Sequence, residues 1–176
     1  MRITVLVPAA LLAVSWFWGR HPLPPAYLWG GTACVLLGIA LRLWAAGCLR
    51  KQEAVVCWGP FAYMRNPLYA GTLLIGCGLA LLTGRWESLA LVPAVMLAVY
   101  LPTVLHEERE LRALFGPAYD DYCRDVPRWL PRLVPLRSGA GEYPSWSQVQ
   151  QNREHRHLIA QLLCLAAFYA IELLQR

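Results

Sequence analysis

Apolar residues in this chain come in long, nearly unbroken runs, not at the alternating or one-sided spacing of a water-soluble core. Five runs of about 17 to 22 residues, near 2–18, 26–47, 67–84, 86–105 and 157–174, can each cross a hydrocarbon layer of about 30 Å as a helix. Helices satisfy their own backbone groups in lipid, so the pattern predicts an all-α, polytopic integral membrane protein with about five transmembrane helices. Pro8 and Pro93 fall inside runs and are tolerable there because neighbouring spans can answer the freed carbonyls.

Composition supports this reading. Of 176 residues 57% are hydrophobic and 15% charged, with a mean hydropathy of +0.39, outside the usual soluble range. The net charge of +5 is not arranged as a basic stripe with interleaved aromatics, so anionic lipid headgroups, not nucleic acid, are the expected counter-charge. Twelve Lys and Arg fall on the side holding the N-terminus, the 48–66 loop and segment 106–156, and three (Arg20, Arg85 and Arg176) on the other. The positive-inside rule then predicts a cytosolic N-terminus and cytosolic larger loops. Arg42, the basic residue inside a span, is expected to snorkel to the interface. "SWFWGR" lacks a small-x-small cleavage site, so the first run is expected to stay as a span. The six cysteines contain no CxxC pair and read as free thiols.

Runs three and four are separated by only "GRW", which predicts a tight hairpin with neighbouring cytosolic ends. "RNPLYAG" at 65–71 and "HEERELRALFG" at 106–116, about forty residues apart, are thereby brought together. Asn66–Pro67 is a helix start, Asn as cap and Pro in the first turn. Helix-start amides and Arg65 suit an anion. Glu107 and Glu108, beside hydrocarbon, need a cation or hydroxyls, supplied either by a ligand or by Arg109 and Arg112. A zwitterion would satisfy both motifs.

Gly116–Pro117 stops one helix, "AYDDYCRDV" makes a short amphipathic one ended by Pro127, and 131–145 is a Pro- and Gly-rich loop suited to a lid. "SQVQQNREHRHL" is expected to lead as one polar helix into the last span. "HEERE" lacks the second His of a zinc-protease helix, so no metal site is expected. "RHP" at 20–22 lacks the tyrosine and glycine of the 65–71 motif, and "GCG" at 76–78 suits close helix packing. His155 and His157 suit interfacial anchoring. The divisions expected are a two-span hairpin and loop at 1–58, a core of two spans plus a cytosolic segment at 59–135, and a loop, polar helix and span at 136–176.

"GPFAYMRNPLYAG" followed by "HEERELRALFGPAYDDYCRDVPRWLP" resembles the isoprenylcysteine carboxyl methyltransferase and phospholipid methyltransferase superfamily, over roughly residues 59–135. The resemblance implies an integral membrane S-adenosyl-L-methionine-dependent methyltransferase, carboxyl O-methyltransferase-like, acting on a lipophilic acceptor by in-line displacement at the cytosolic membrane face. It places the cofactor-binding pattern on Arg65, Asn66, Pro67, Tyr69, Gly71, Glu107, Glu108, Tyr119 and Tyr122, with Phe115 and Gly116 in the last element. Arg65 and Glu108 are the expected catalytic residues. Asn66 stands where many members have His, and an amide cannot shuttle a proton. A carboxylate or thiolate acceptor needs no base, whereas a phenol or amine would need Glu108 or a tyrosine such as Tyr63. The alternatives are a nicotinamide-dependent sterol-reductase-like enzyme, which would carry more spans before the motif, and a non-catalytic lipid-binding protein of the same fold.

Overall fold

The computed structural model describes residues 24–50, 53–136 and 143–174. The first predicted run, 2–18, lies outside them. The described elements are helix α1 (Pro25–Cys48), a short 3-10 turn (Gly59–Ala62), α2 (Pro67–Leu82), α3 (Trp86–Phe115), α4 (Pro117–Asp125), α5 (Trp146–Gln151) and α6 (Glu154–Leu174). No strand occurs among the described residues, so the fold is all-α.

Three of these helices, α1, α3 and α6, are long and apolar enough to cross a membrane; α2 is apolar but has only 16 residues. At a rise of 1.5 Å per residue α2 extends about 24 Å, short of the about 30 Å of hydrocarbon. It stops at Leu82, before the predicted end at 84. Thr83 and Gly84 donate back to the carbonyls of Ala80 and Leu81, and Gly84 takes the left-handed conformation (φ 67°) that glycine adopts without a Cβ penalty. Helix α3 runs on through Pro93 and Pro102 for 30 residues and carries Glu107 and Glu108 on its last turns.

The described residues form two compact units. One takes the residues up to Ile39, Gly71–Leu97 and those from His155 onward; the other takes Ala40–Ala70 and Ala98–Glu154. In the first unit, α1 meets α2 at glycines. A Cβ on Gly31 would lie 2.8 Å from the Gly78 carbonyl oxygen, and one on Gly38 would lie 2.6 Å from that of Gly71. Gly76 faces Met96 of α3. The "GCG" glycines therefore serve close helix packing. Thr32 and Tyr169 share a 2.6 Å hydroxyl contact joining α1 to α6.

In the second unit, Asn152 donates its side-chain amide to the carbonyls of Ala46 (2.9 Å) and Leu49 (3.1 Å), answering acceptors left over at the end of α1. The expected continuous polar helix ahead of the last span is broken here: α5 ends at Gln151, and Arg153 adopts φ 59° before α6 begins. Ser145 caps α5, accepting from the Gln148 amide at 3.2 Å. Tyr119, Tyr122 and Val126 of α4 and its end form a buried cluster with Val55, Phe115 and Leu136 packed against it. Residues 127–136 form an extended strap hydrogen-bonded to the segment ahead of α2. Arg65 N donates to Pro127 O, Arg132 N to Tyr63 O and Leu136 N to Ala62 O, at 2.9, 3.0 and 2.9 Å.

Candidate active site

The site lies in the second unit and grows from the start of α2. The Asn66 carbonyl accepts the Ala70 amide at 3.1 Å, so Asn66 occupies the cap position. Its side chain, however, does not cap the helix. It turns outward and donates to Glu108 Oε1 and to the Arg128 carbonyl, both at 3.4 Å. Pro67 follows as the first helical residue, where its missing N–H costs no hydrogen bond.

Glu108 is the centre of the arrangement, with 2% of its side chain exposed. Val104, four residues earlier on the same face of α3, is fully buried, which places the carboxylate on the packed side of that helix. Arg128 holds Glu108 by two parallel bonds, Nε to Oε1 at 2.9 Å and Nη2 to Oε2 at 2.8 Å. Arg65 Nη1 stands 3.4 Å from Oε2 and also donates to Cys123 Sγ at 3.0 Å. Burial pushes the Glu108 carboxyl up, but the Arg128 hydrogen bonds, the charges of Arg65 and Arg128 and the Asn66 amide outweigh it. The group lies below its ordinary 4.5. The same contact raises the Arg128 guanidinium.

The acidic doublet is thus split. Glu107, exposed, accepts a 2.9 Å hydrogen bond from the Tyr69 hydroxyl, whose ring packs on Tyr100 at 5.3 Å between centroids. Tyr100 and Glu107 lie two turns apart on α3, so one face of that helix holds Tyr69 by ring and by hydroxyl. Arg109 and Arg112 do not pair with the doublet: Arg109 Nε donates to Leu105 O and Arg112 to Asp120.

The expected residues do not all converge. Arg65, Asn66, Pro67, Tyr69, Glu107 and Glu108 meet at the α2 start and the α3 end, whereas Gly71 belongs to the other unit and packs against Gly38. Tyr119 and Tyr122 are 3% and 6% exposed, and the Tyr122 hydroxyl donates to Phe61 O at 2.8 Å, which fixes the 3-10 turn to α4. Burial raises both phenols well above their ordinary 10. Arg128 escaped the sequence reading, although a carboxylate set beside hydrocarbon demands a cation and several arginines follow it. Among the described residues two guanidinium donors stay buried and without an acceptor, Arg65 Nε and Arg132 Nη1. Among the described residues no group of three or more His, Cys, Asp or Glu is gathered to hold a metal ion. All six cysteines are free.

Apolar helices with an arginine–carboxylate cluster built around a buried Glu108, at the start of one and the end of another, define a polytopic membrane protein with a built polar site. The family model for phospholipid methyltransferase matches residues 26–118, more than half of the chain, and the protein belongs to that family. It is 34% identical over 154 residues to the cobalt-zinc-cadmium resistance protein CzcN of Cupriavidus metallidurans, covering 85% of this chain and 70% of that one. It is 32% identical to the nickel-cobalt-cadmium resistance protein NccN of Alcaligenes xylosoxydans xylosoxydans, over 78% of this chain and 65% of that one. With the protein-S-isoprenylcysteine O-methyltransferase of Schizosaccharomyces pombe it shares 30% identity over 59% of this chain and 44% of the yeast protein. The chain thus spans about two thirds of the length of the two resistance proteins and less than half of the yeast enzyme. No solved structure matches it.

Proposed function

We propose that the protein is an integral membrane S-adenosyl-L-methionine-dependent methyltransferase that acts on a lipophilic acceptor from the cytosolic face. The observation that carries this reading is the meeting of Arg65 and Asn66 with Glu108, and of Tyr69 with Glu107, which joins two motifs distant in sequence. Family membership and the yeast relative's name support the reaction class. The excess of arginines at the site-bearing loops supports the cytosolic orientation.

The residues fit the cofactor. Arg65 Nε and Arg132 Nη1 are buried donors in want of an acceptor, which suits a carboxylate. Glu107, exposed and aligned by Tyr69, suits an ammonium or ribose hydroxyls. When bound, the cofactor supplies a methyl group already activated by its sulfonium, so the chain's task is alignment and exclusion of water. Within this scheme Glu108 keeps Arg65, Asn66 and Arg128 in register. A carboxylate gripped by two guanidinium groups and lowered in pKa is a poor general base, so the acceptor's nucleophile arrives already ionised or loses its proton elsewhere. A carboxylate or thiolate acceptor meets that condition.

Calorimetry with S-adenosylhomocysteine on the purified protein, with labelled-methyl transfer to extracted lipids, tests the reading. Binding to the parent that is lost in Arg65→Ala and Glu107→Gln is the expected result. An absence of binding to the parent, or equal binding by all three, rejects the cofactor. Oxidation of a nicotinamide in its place would favour the reductase reading.

A further inference from the structure

The strap 127–136 carries three of the most exposed apolar side chains in the second unit. Leu130 is 79% exposed, Val134 64% and Leu133 99%. Exposed leucines are ordinary singly, but three within five residues on a fixed backbone are a presented surface. The backbone is fixed because Pro127, Arg132 and Leu136 of the strap are hydrogen-bonded to Arg65, Tyr63 and Ala62.

Those ties also set its level. Ala62 and Tyr63 lie within five residues of Pro67, where apolar α2 begins, so the strap runs at the mouth of that helix. With the apolar helices seated in a membrane, that level corresponds to the headgroup layer. The sequence "RDVPRWLPRLVPL" suits that layer: arginines at 124, 128 and 132 alternate with apolar residues, Trp129 among them, and a single aspartate opposes them.

We propose that Leu130, Leu133 and Val134 insert into the boundary between lipid headgroups and acyl chains, with an anionic lipid surface as the partner. The strap is then a membrane anchor that also holds Arg128, the partner of Glu108, at its N-terminal end. This inference rests on the membrane placement of the helices and not on the chemistry proposed for the site, so either can fail without the other.

The experiment uses the full chain in nanodiscs of phosphatidylcholine with phosphatidylglycerol, carrying Leu133→benzoylphenylalanine. Irradiation followed by intact-mass and peptide mass spectrometry reads what the side chain touches. The expected product is the protein plus one lipid, mapped to the strap. Phosphatidylglycerol adducts should be enriched about fivefold over its mole fraction, the worth of one basic residue at an anionic surface. Asp121→benzoylphenylalanine, at the 69% exposed Asp121 side chain of α4, serves as comparison and should give little lipid product. Adducts to another part of the same chain, to a second copy or to no molecule at all would overturn the proposal. So would equal lipid yields from positions 133 and 121, or an absence of enrichment for the anionic lipid.

Discussion

Arg42 of α1 and Glu154, the first residue of α6, form a buried ion pair 112 residues apart in sequence. Arg42 Nη2 donates to Oε1 at 2.7 Å and Oε2 at 2.8 Å, and its Nε to Oε2 at 3.1 Å. Each residue is 8% exposed, and a further guanidinium hydrogen goes to the Leu68 carbonyl at 3.3 Å. Snorkelling, expected from the position of Arg42 near a span end, does not occur, because a carboxylate is supplied inside the protein. Removing one partner strands the other as a buried charge, costing about 3–5 kcal/mol, whereas replacing both by apolar residues of similar volume is often neutral. Thermal unfolding in detergent should therefore show Arg42→Ala and Glu154→Ala strongly destabilised, with Arg42→Met/Glu154→Leu close to the parent. A double variant as weak as the singles would show that the pair itself, not the avoidance of a lone charge, sustains the fold.

Arg128→Ala leaves Glu108 with Arg65 at 3.4 Å and the Asn66 amide as its remaining partners. Loss of a charged hydrogen bond costs about 1.5–3 kcal/mol, or about 10- to 150-fold in affinity if the site is the cofactor site. Arg128→Lys should recover little, since an ammonium cannot reproduce the two parallel bonds. Titration with S-adenosylhomocysteine of Arg128→Ala, Arg128→Lys and Glu108→Gln checks this. The combination Arg128→Ala/Glu108→Gln should lose less than the sum of its parts, and strict additivity would deny the coupling.

The apolar runs were legible because lipid forces helices and length fixes which ones can span. α1, α3, α4 and α6 fall where the pattern and the Gly116–Pro117 stop put them. The meeting of "RNPLYAG" with the Glu doublet was legible from the short turn between two runs, since a hairpin fixes neighbours. What the sequence hid was pairing. Arginines are interchangeable on paper, and only the strap's path past residues 62–65 selects Arg128, not Arg109 or Arg112, for Glu108. Likewise, adjacent glutamates look equivalent, but the 100° step between them on α3 buries one and exposes the other.

Acid should weaken the fold through Glu108. Its folded-state pKa lies below the ordinary 4.5, so between the two values the unfolded chain binds more protons than the folded one. The stabilisation is full above pH 4.5 and is lost as the pH falls through the folded value. Unfolding midpoints measured from pH 7 down to pH 3 should drop less steeply in Glu108→Gln than in the parent. Parallel profiles would assign the acid sensitivity to other carboxylates.

Tyr69 and Glu107 separate alignment from charge. Tyr69→Phe removes the 2.9 Å hydrogen bond but keeps the ring against Tyr100, and Glu107 remains exposed to water. A hydrogen bond to a charged group is worth about 1.5–3 kcal/mol, and solvation of the exposed Glu107 brings this one to the lower end or below, so binding of S-adenosylhomocysteine should fall by about tenfold or less. Glu107→Gln keeps the size and an acceptor oxygen for Tyr69 but deletes the charge, and should weaken binding more if a cationic ammonium is what Glu107 meets. The discriminating reading is the ratio of the two losses at low and high salt. A charge contact at an exposed carboxylate is screened as ionic strength rises, so the gap between Glu107→Gln and Tyr69→Phe should narrow. An unchanged gap would place Glu107 against hydroxyls, and equal losses in both variants at every salt would mean that Glu107 acts only by holding Tyr69.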